Sequence, residues 1–248
     1  MNSGKHRVLV TGAAGRVGTA FYQNASTSFE LRLADKVVAS LSNTSHEVVQ
    51  LDILDFDSCA RACQNIDTVL HLAANPDPNA PFDSLLAVNM QGTYNVFRAA
   101  QAARCQRVVF ASSAQAVEGY PLDVQVKPHM PVRPKNLYGV SKCFGEALAA
   151  YFAEQEGLSS IAVRIACFEE FIVGHPETAR DMSAYVSRRD LVQLLTKCIT
   201  ATLDIPFAIV HGVSNNRFKR LDLTTTVRIL GYDPQDDAFQ LLNMGFKE

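Results

Sequence analysis

The sequence predicts an α/β fold, a doubly wound parallel sheet of about seven strands with a small C-terminal substrate-binding portion. Three observations predict it. Short β-rich runs alternate with longer stretches of 3.6-residue apolar spacing, the order expected of a parallel sheet covered on both faces. The 248 residues, 48% of them hydrophobic, can bury one substantial core and sit near the upper size for one domain. A glycine loop, Thr11-Gly-Ala-Ala-Gly-Arg-Val-Gly18, separates the first strand from the first helical stretch.

In chain order, residues 7–11 read as the first strand and 16–26 as the first helix. Strands follow at 30–34 and 47–51, then a helix at 56–65 and a strand at 68–72. Helical spacing holds over 82–104 and leads into a strand at 107–111. A helix at 136–156 precedes the strand at 160–165, and a helix at 189–201 precedes the last strand at 207–211. Two segments break the βαβ pattern: proline-rich 118–134, and 167–187, which carries Gly174-His175-Pro176. Both come just after strands, and ligands of open parallel sheets bind outside the carboxyl ends of strands. The reading is therefore a single domain over 1–248, with substrate-covering segments at about 114–135, 167–187 and 212–248.

Charge and composition exclude several functions. A formal net charge of −2 supplies no basic field for nucleic-acid phosphates. The six cysteines, Cys59, Cys63, Cys105, Cys143, Cys167 and Cys198, lack the spacing of a disulfide scaffold or of paired metal knuckles, and read as reduced, mostly buried thiols. His46, His129, His175 and His211 have no ligand neighbours at metal spacing, and His71, inside the apolar run Thr68-Val-Leu-His-Leu72, reads as a packed core residue, so no metal is expected. No apolar stretch suffices for a signal core or a membrane span, which predicts a cytoplasmic protein with no membrane partner.

The glycine loop follows a strand and opens a helix, the context of a Rossmann-type, NAD(P)-binding domain. Gly12 permits the turn, Gly15 lets the backbone approach a pyrophosphate, Gly18 allows close helix packing, and Arg16 and Val17 open the helix whose N-terminus faces the phosphates. Asp35 lies 35 − 15 = 20 residues beyond Gly15, where a carboxylate can accept bonds from the adenosine ribose; it also suits a plain strand-end turn. NAD is favoured over NADP, because a 2′-phosphate would face a like charge, although Arg16, Arg32 and Lys36 are close in sequence. Asp52 and Ile53 end the third strand beside the adenine position. Ala73, Ala74 and Asn75 follow the fourth, where small residues leave room for a cofactor or simply pack.

Tyr138 and Lys142 stand one helical turn apart on one face, so an ammonium can sit beneath a phenol. A free tyrosine titrates at about 10, and a nearby cation lowers that toward neutrality. Such pairs also occur on ordinary solvent-facing helices. Ser112 and Ser113 end the fifth strand, either presenting a hydroxyl to a reacting oxygen or capping the next segment.

These motifs, with His71-Leu-Ala-Ala74, Val88-Asn-Met-Gln-Gly-Thr93, Phe110-Ala-Ser-Ser-Ala114 and Tyr138-Gly-Val-Ser-Lys142, resemble the extended short-chain dehydrogenase/reductase superfamily, that of NAD-dependent epimerases and dehydratases. The resemblance implies Ser113 as catalytic serine, Tyr138 as acid/base, Lys142 as its activator and ribose ligand, and Asn89 as a structural support. Arg32-Leu-Ala-Asp35 and Val163-Arg-Ile165 extend it toward the uronate dehydrogenases, which oxidise the anomeric carbon of a hexuronic acid to a lactone with NAD. In that pattern an arginine precedes Ser-Xaa-aromatic-Xaa-Ser, the place Arg180 occupies, and a guanidinium can grip a sugar carboxylate bidentately. Arg180 reads equally as a surface arginine of a loop.

The chain departs from the pattern where Ala114-Gln115 replaces Asn-His and where Asn75-Pro-Asp-Pro78 lacks a serine, and the 169–178 loop is longer. Gln115 can orient a substrate but cannot change charge near neutral pH. The expected substrate is therefore a uronic acid or a related aldose, sugar acid or sugar phosphate. The rival readings are a nucleotide-sugar epimerase or dehydratase and a non-catalytic nicotinamide-sensing module. Long apolar helices at 82–104 and 136–156 predict a homo-oligomer.

Overall fold

The computed structural model describes residues 5–25, 27, 29–168 and 178–242. The chain begins with β1 (Arg7–Thr11), α1 (Arg16–Ala25), β2 (Glu30–Asp35), β3 (Glu47–Gln50), α2 (Phe56–Ala62) and β4 (Thr68–His71). Next come α3 (Phe82–Ser84), a π-helical stretch (Leu85–Gly92), α4 (Thr93–Ala102), β5 (Arg107–Ser113), α5 (Leu137–Glu154) and β6 (Ser159–Ile165). The last third holds β7 (Cys167–Phe168), α6 (Ala179–Ala184), β8 (Tyr185–Val186), α7 (Arg188–Thr200), β9 (Phe207–Gly212), α8 (Thr224–Leu230) and α9 (Ala238–Leu241).

Seven parallel strands form the main sheet in the order β3-β2-β1-β4-β5-β6-β9. The chain runs outward from β1 through β2 and β3, then crosses back to β4. That reversal opens a crevice at the carboxyl ends of β1 and β4. Side chains alternate between two cores. Val8, Val10, Leu33, Val109 and Val163 meet Phe21 of α1 and Leu191 and Leu194 of α7. Leu9, Val69, Val108, Phe110 and Ala162 meet Cys59 of α2, Phe97 of α4 and Phe152 of α5. Each such large side chain contributes about 1.5–3 kcal/mol on burial, so the doubly apolar strands fix a sheet covered on both sides.

Side-chain caps start the helices that frame the crevice. Asn136 accepts from the Gly139 N–H at the start of α5, and Ser187 accepts from that of Asp190 at the start of α7. All six cysteines are free, with five buried and Cys143 half-buried. Among the described residues no helix is long and apolar enough to cross a membrane.

The predicted core strands agree with the sheet to within two residues at each end. Three regions differ. The stretch expected as one helix over 82–104 changes to π geometry over Leu85–Gly92, where apolar residues on several sides left the helical period undefined. The segment 167–187 contains a two-stranded ladder, β7 with β8, and the short helix α6 rather than a plain loop. Two-residue strands and a six-residue helix are too short to show a period. Residues 169–177, with Gly174-His175-Pro176, lie outside the described residues, as does Ser26 of the first predicted helix. Within 212–242 the chain forms α8 and α9, and α8 follows β9 onto α7.

Candidate active site

Gly12 adopts φ +70°, the left-handed region that glycine tolerates. A Cβ there would lie 2.6 Å from the Ala73 backbone N, so the loop needs glycine to approach the end of β4. A Cβ on Gly18 would lie 2.5 Å from the Gly12 carbonyl, which seats α1 tightly against the loop. Gly15 is different: a Cβ there would meet only the Gly12 carbonyl, at 3.2 Å, and its open side lines a cavity of about 840 Å³. That volume lies within the range of ligand pockets, about 300–1,000 Å³.

Every sequence-predicted site residue except Asn75 lines this one cavity: Gly12, Gly15, Arg16, Val17, Gly18, Asp35, Asp52, Ile53, Ala73, Ala74, Ser112, Ser113, Gln115, Tyr138, Lys142 and Arg180. Asn75 instead closes its own loop. Its Nδ2 donates to Ser84 Oγ at 2.9 Å, and its N–H donates to Asn89 Oδ1 at 2.7 Å.

At one end Asp35 Oδ2 accepts from the Ala14 N–H at 3.0 Å, which ties the end of β2 to the glycine loop and leaves acceptor capacity on both oxygens. Asp52 pairs with Lys36 Nζ at 2.8 Å. That hydrogen bond and the Leu54 N–H hold its carboxyl below the usual carboxylate range. Ile53 packs into the space left by Gly92, where a Cβ would lie 2.5 Å from its Cδ1. Arg16 Nη2 donates to the Phe168 carbonyl at 2.6 Å, linking the start of α1 to β7.

At the other end α5 projects Tyr138 and Lys142 toward the cavity. Lys142 Nζ lies 5.5 Å from the centre of the Tyr138 ring and 5.2 Å from that of Phe110, and donates to the Ala111 carbonyl at 2.8 Å. Burial pushes its pKa down to about 8. The residue is only 4% exposed, so its charge is poorly screened by water and acts strongly on nearby groups. Behind it, His71 bonds the hydroxyls of Thr11 at 2.8 Å and Thr93 at 3.2 Å. Burial first, then the Lys142 charge, lowers its pKa to about 3, so it is a neutral core histidine.

The two serines separate. Ser113 Oγ accepts from the Gln115 N–H at 3.2 Å and stays at the cavity wall. Ser112 Oγ–H donates to Glu146 Oε1 at 2.6 Å and is 3% exposed, so its hydroxyl is engaged in the interior rather than presented to a ligand. Glu146 in turn forms a bidentate pair with Arg164, both contacts 2.8 Å. Gln115 Oε1 accepts from Asn136 Nδ2 at 3.1 Å, coupling the turn after β5 to the cap of α5.

Arg180 lines the same end with its guanidinium already held. Nε and Nη2 donate to the two Glu118 oxygens at 2.9 and 2.7 Å, and Nη1 donates to Asp181 Oδ1 at 3.0 Å and Cys167 Sγ at 2.7 Å. Burial lowers its pKa, but the bonds to Glu118 and the neighbouring Cys167 and Asp181 outweigh that and raise it.

The model of the NAD dependent epimerase/dehydratase family matches residues 8–190. The chain belongs to this family. Within it, the chain is 35% identical to an NAD-dependent glucose-6-phosphate dehydrogenase of Haloferax volcanii, over 93% of this chain and 94% of that protein. It is 36% identical to an L-arabinose 1-dehydrogenase (NAD(P)(+)) of the same organism, over 94% and 97%. A solved uronate dehydrogenase from Agrobacterium tumefaciens, complexed with NAD, superposes with a TM-score of 0.86 at 33% identity, covering 97% of this chain and 89% of that one. The resemblance to uronate dehydrogenases expected from the motifs therefore holds.

Several residues that shape this family member's site carried no assigned role in the sequence. Val88, Phe168 and Ala166 line the cavity, and Glu118 holds Arg180. The buried Glu146–Arg164 pair fastens α5 to β6. A signal existed for that pair: Glu146 follows Lys142 by four residues on one helical face, and a charge inside the apolar strand β6 demands a partner. Asn89, expected as a support, donates to Ser141 Oγ at 3.0 Å and to the Asn75 carbonyl at 3.0 Å, and Ser141 donates to the Tyr138 carbonyl at 2.7 Å. No described residue of 212–242 lines the cavity.

Proposed function

We propose that this protein is an NAD-dependent sugar dehydrogenase that oxidises the anomeric carbon of a uronic acid or related aldose to a lactone. The observation that carries the reading is the meeting of Tyr138, Lys142 and Ser113 with the glycine loop in one cavity. The loop fits a dinucleotide, since Gly15 leaves its backbone open while Gly12 and Gly18 fill a space no side chain could share. The pyrophosphate would rest on Gly15 to Gly18, the adenosine ribose on Asp35, the adenine beside Asp52 and Ile53, and the nicotinamide ribose on Lys142. Bound there, NAD supplies the hydride acceptor.

Tyr138 takes the proton of the anomeric hydroxyl as that carbon loses hydride. Lys142, poorly screened and close to the ring, favours the phenolate, and the Ser113 hydroxyl orients the reacting oxygen. The turn at Ala114–Ala116 and, among the described residues of 167–187, Cys167, Phe168 and Arg180 would face the sugar, with Gln115 as a hydrogen-bonding contact. Asp35 favours NAD over NADP by placing a carboxylate where a 2′-phosphate would go.

Turnover of an aldose or uronate with net formation of NADH and lactone tests the reading. An epimerase or dehydratase returns the hydride and shows no net NADH, so conversion of a nucleotide sugar without it would overturn the proposal. A homodimer through α4 and α5, where Tyr94, Val140, Phe144 and Tyr151 are exposed, belongs to the same reading and is checked by light scattering.

A further inference from the structure

Arg180 is a cavity guanidinium whose planar fork can hold a carboxylate, yet that fork is filled from within the chain. Of its five N–H donors, Nε and one on Nη2 go to Glu118, and Nη1 serves Asp181 and Cys167. A single Nη2 N–H remains for a ligand. Glu118 is 8% exposed and its neighbour Gly119 is locked: the Gly119 N–H donates to the Arg133 carbonyl at 2.6 Å, and a Cβ there would lie 2.5 Å from the same oxygen. The backbone that carries Glu118 is thus a fixed turn, and its carboxylate is held by two bonds from Arg180. Arg220, the other cation that feels Glu118, gives its donors to the carbonyls of Tyr120, Pro121 and Val124 at 2.7–2.8 Å and does not line the cavity.

We propose that Glu118 is a specificity-determining residue: by occupying the Arg180 fork it makes the site select an uncharged aldose over a sugar carboxylate. This rests on the sugar-dehydrogenase reading and names its substrate class. One remaining N–H and the Gln115 amide suit hydroxyl groups, which accept or donate single hydrogen bonds. A uronate carboxylate gripped bidentately by Arg180 would have to displace Glu118, leaving a nearly buried carboxylate without its partner. Glu118 acts through Arg180 and touches no substrate, so it is a positioning residue whose effect falls on selectivity.

The test compares glucose, galactose and arabinose with glucuronate and galacturonate, by NADH formation and by calorimetric binding to the protein with NADH. In the wild type, kcat/KM for the best aldose is expected to exceed that for either uronate at least tenfold. Glu118→Gln, which keeps the shape but removes the charge, should raise uronate kcat/KM about tenfold through KM, with aldose values changed less than threefold. A wild-type preference for a uronate overturns the proposal whether or not any variant folds. So does a folded Glu118→Gln or Glu118→Ala that alters both substrate classes equally. If no sugar is oxidised, the dehydrogenase reading fails by itself. Calorimetry then decides the selectivity: aldose binding in the wild type with uronate binding gained in Glu118→Gln supports it, and any other binding pattern overturns it.

Discussion

The two ends of the cavity are built from different materials. At the proposed cofactor end the walls are largely backbone and short side chains: the glycine loop, Asp35 tied to the Ala14 N–H, and small residues after β4. At the other end side chains line the cavity and are held by partners across the fold, Arg180 by Glu118 and Gln115 by Asn136, with Tyr138 and Lys142 beside them. Backbone walls accept the same ligand group in any chain that keeps the turn. Side-chain walls change with a single substitution. Such a division suits a family whose members are named for glucose 6-phosphate, arabinose and uronates.

The largest effect is expected at the seam between the two ends, at Tyr138, the proposed acid/base. Tyr138→Phe is expected to lower kcat about 100- to 10,000-fold while the NAD dissociation constant moves less than about twofold. Equal loss in both would merge the two ends into one. On the side-chain end, Glu146→Ala leaves Arg164 charged and unpaired at 1% side-chain exposure. A loss of about 3–5 kcal/mol is expected in urea unfolding, because a buried charge without a partner is costly.

Lys142, proposed to act with Tyr138, carries a cost for the fold. Burial has lowered its pKa from 10.5 to about 8. Below pH 8 the folded and unfolded states both carry the proton, and the folded state bears the full cost of the buried charge. As pH rises from 8 to 10.5 the folded state loses the proton first, and that cost is relieved. Lys142→Met should therefore be more stable than wild type by about 3 kcal/mol at pH 7, the 2.5-unit shift at 1.36 kcal/mol each. The advantage should shrink above pH 8, and a variant less stable than wild type at neutral pH would refute the account. The smallest effect is expected at the cofactor end. Asp35→Asn should weaken NAD binding by about 1–1.5 kcal/mol, roughly tenfold, through loss of charge-assisted bonds, and should narrow the gap to NADP. Unchanged titrations with both nucleotides would remove Asp35 from the site.

Much of the fold was legible because its signals are local. β1, its glycine loop and α1 occupy contiguous residues, and the period of apolar residues marked each strand of the main sheet. Legibility failed where a period had no room to repeat, as in β7, β8 and α6, or where apolar residues surrounded the helix, as over Leu85–Gly92. At the site, the spacing of Tyr138 and Lys142 needed only one helical turn to be read. Ser112 and Ser113 are chemically identical neighbours, and nothing local says which faces the cavity. The strand pleat sends them to opposite sides of the sheet, toward Glu146 or toward the cavity.

Short-range geometry along the chain thus enforces the glycine turn at φ +70°, the helical pairing of phenol and ammonium, and the strands that must be covered on both faces. The state of Arg180 comes instead from folding, since its carboxylate partner lies 62 residues away on a separate turn. Which charge a guanidinium holds depends on what the folded chain brings within hydrogen-bond reach, and no spacing along the chain encodes that meeting.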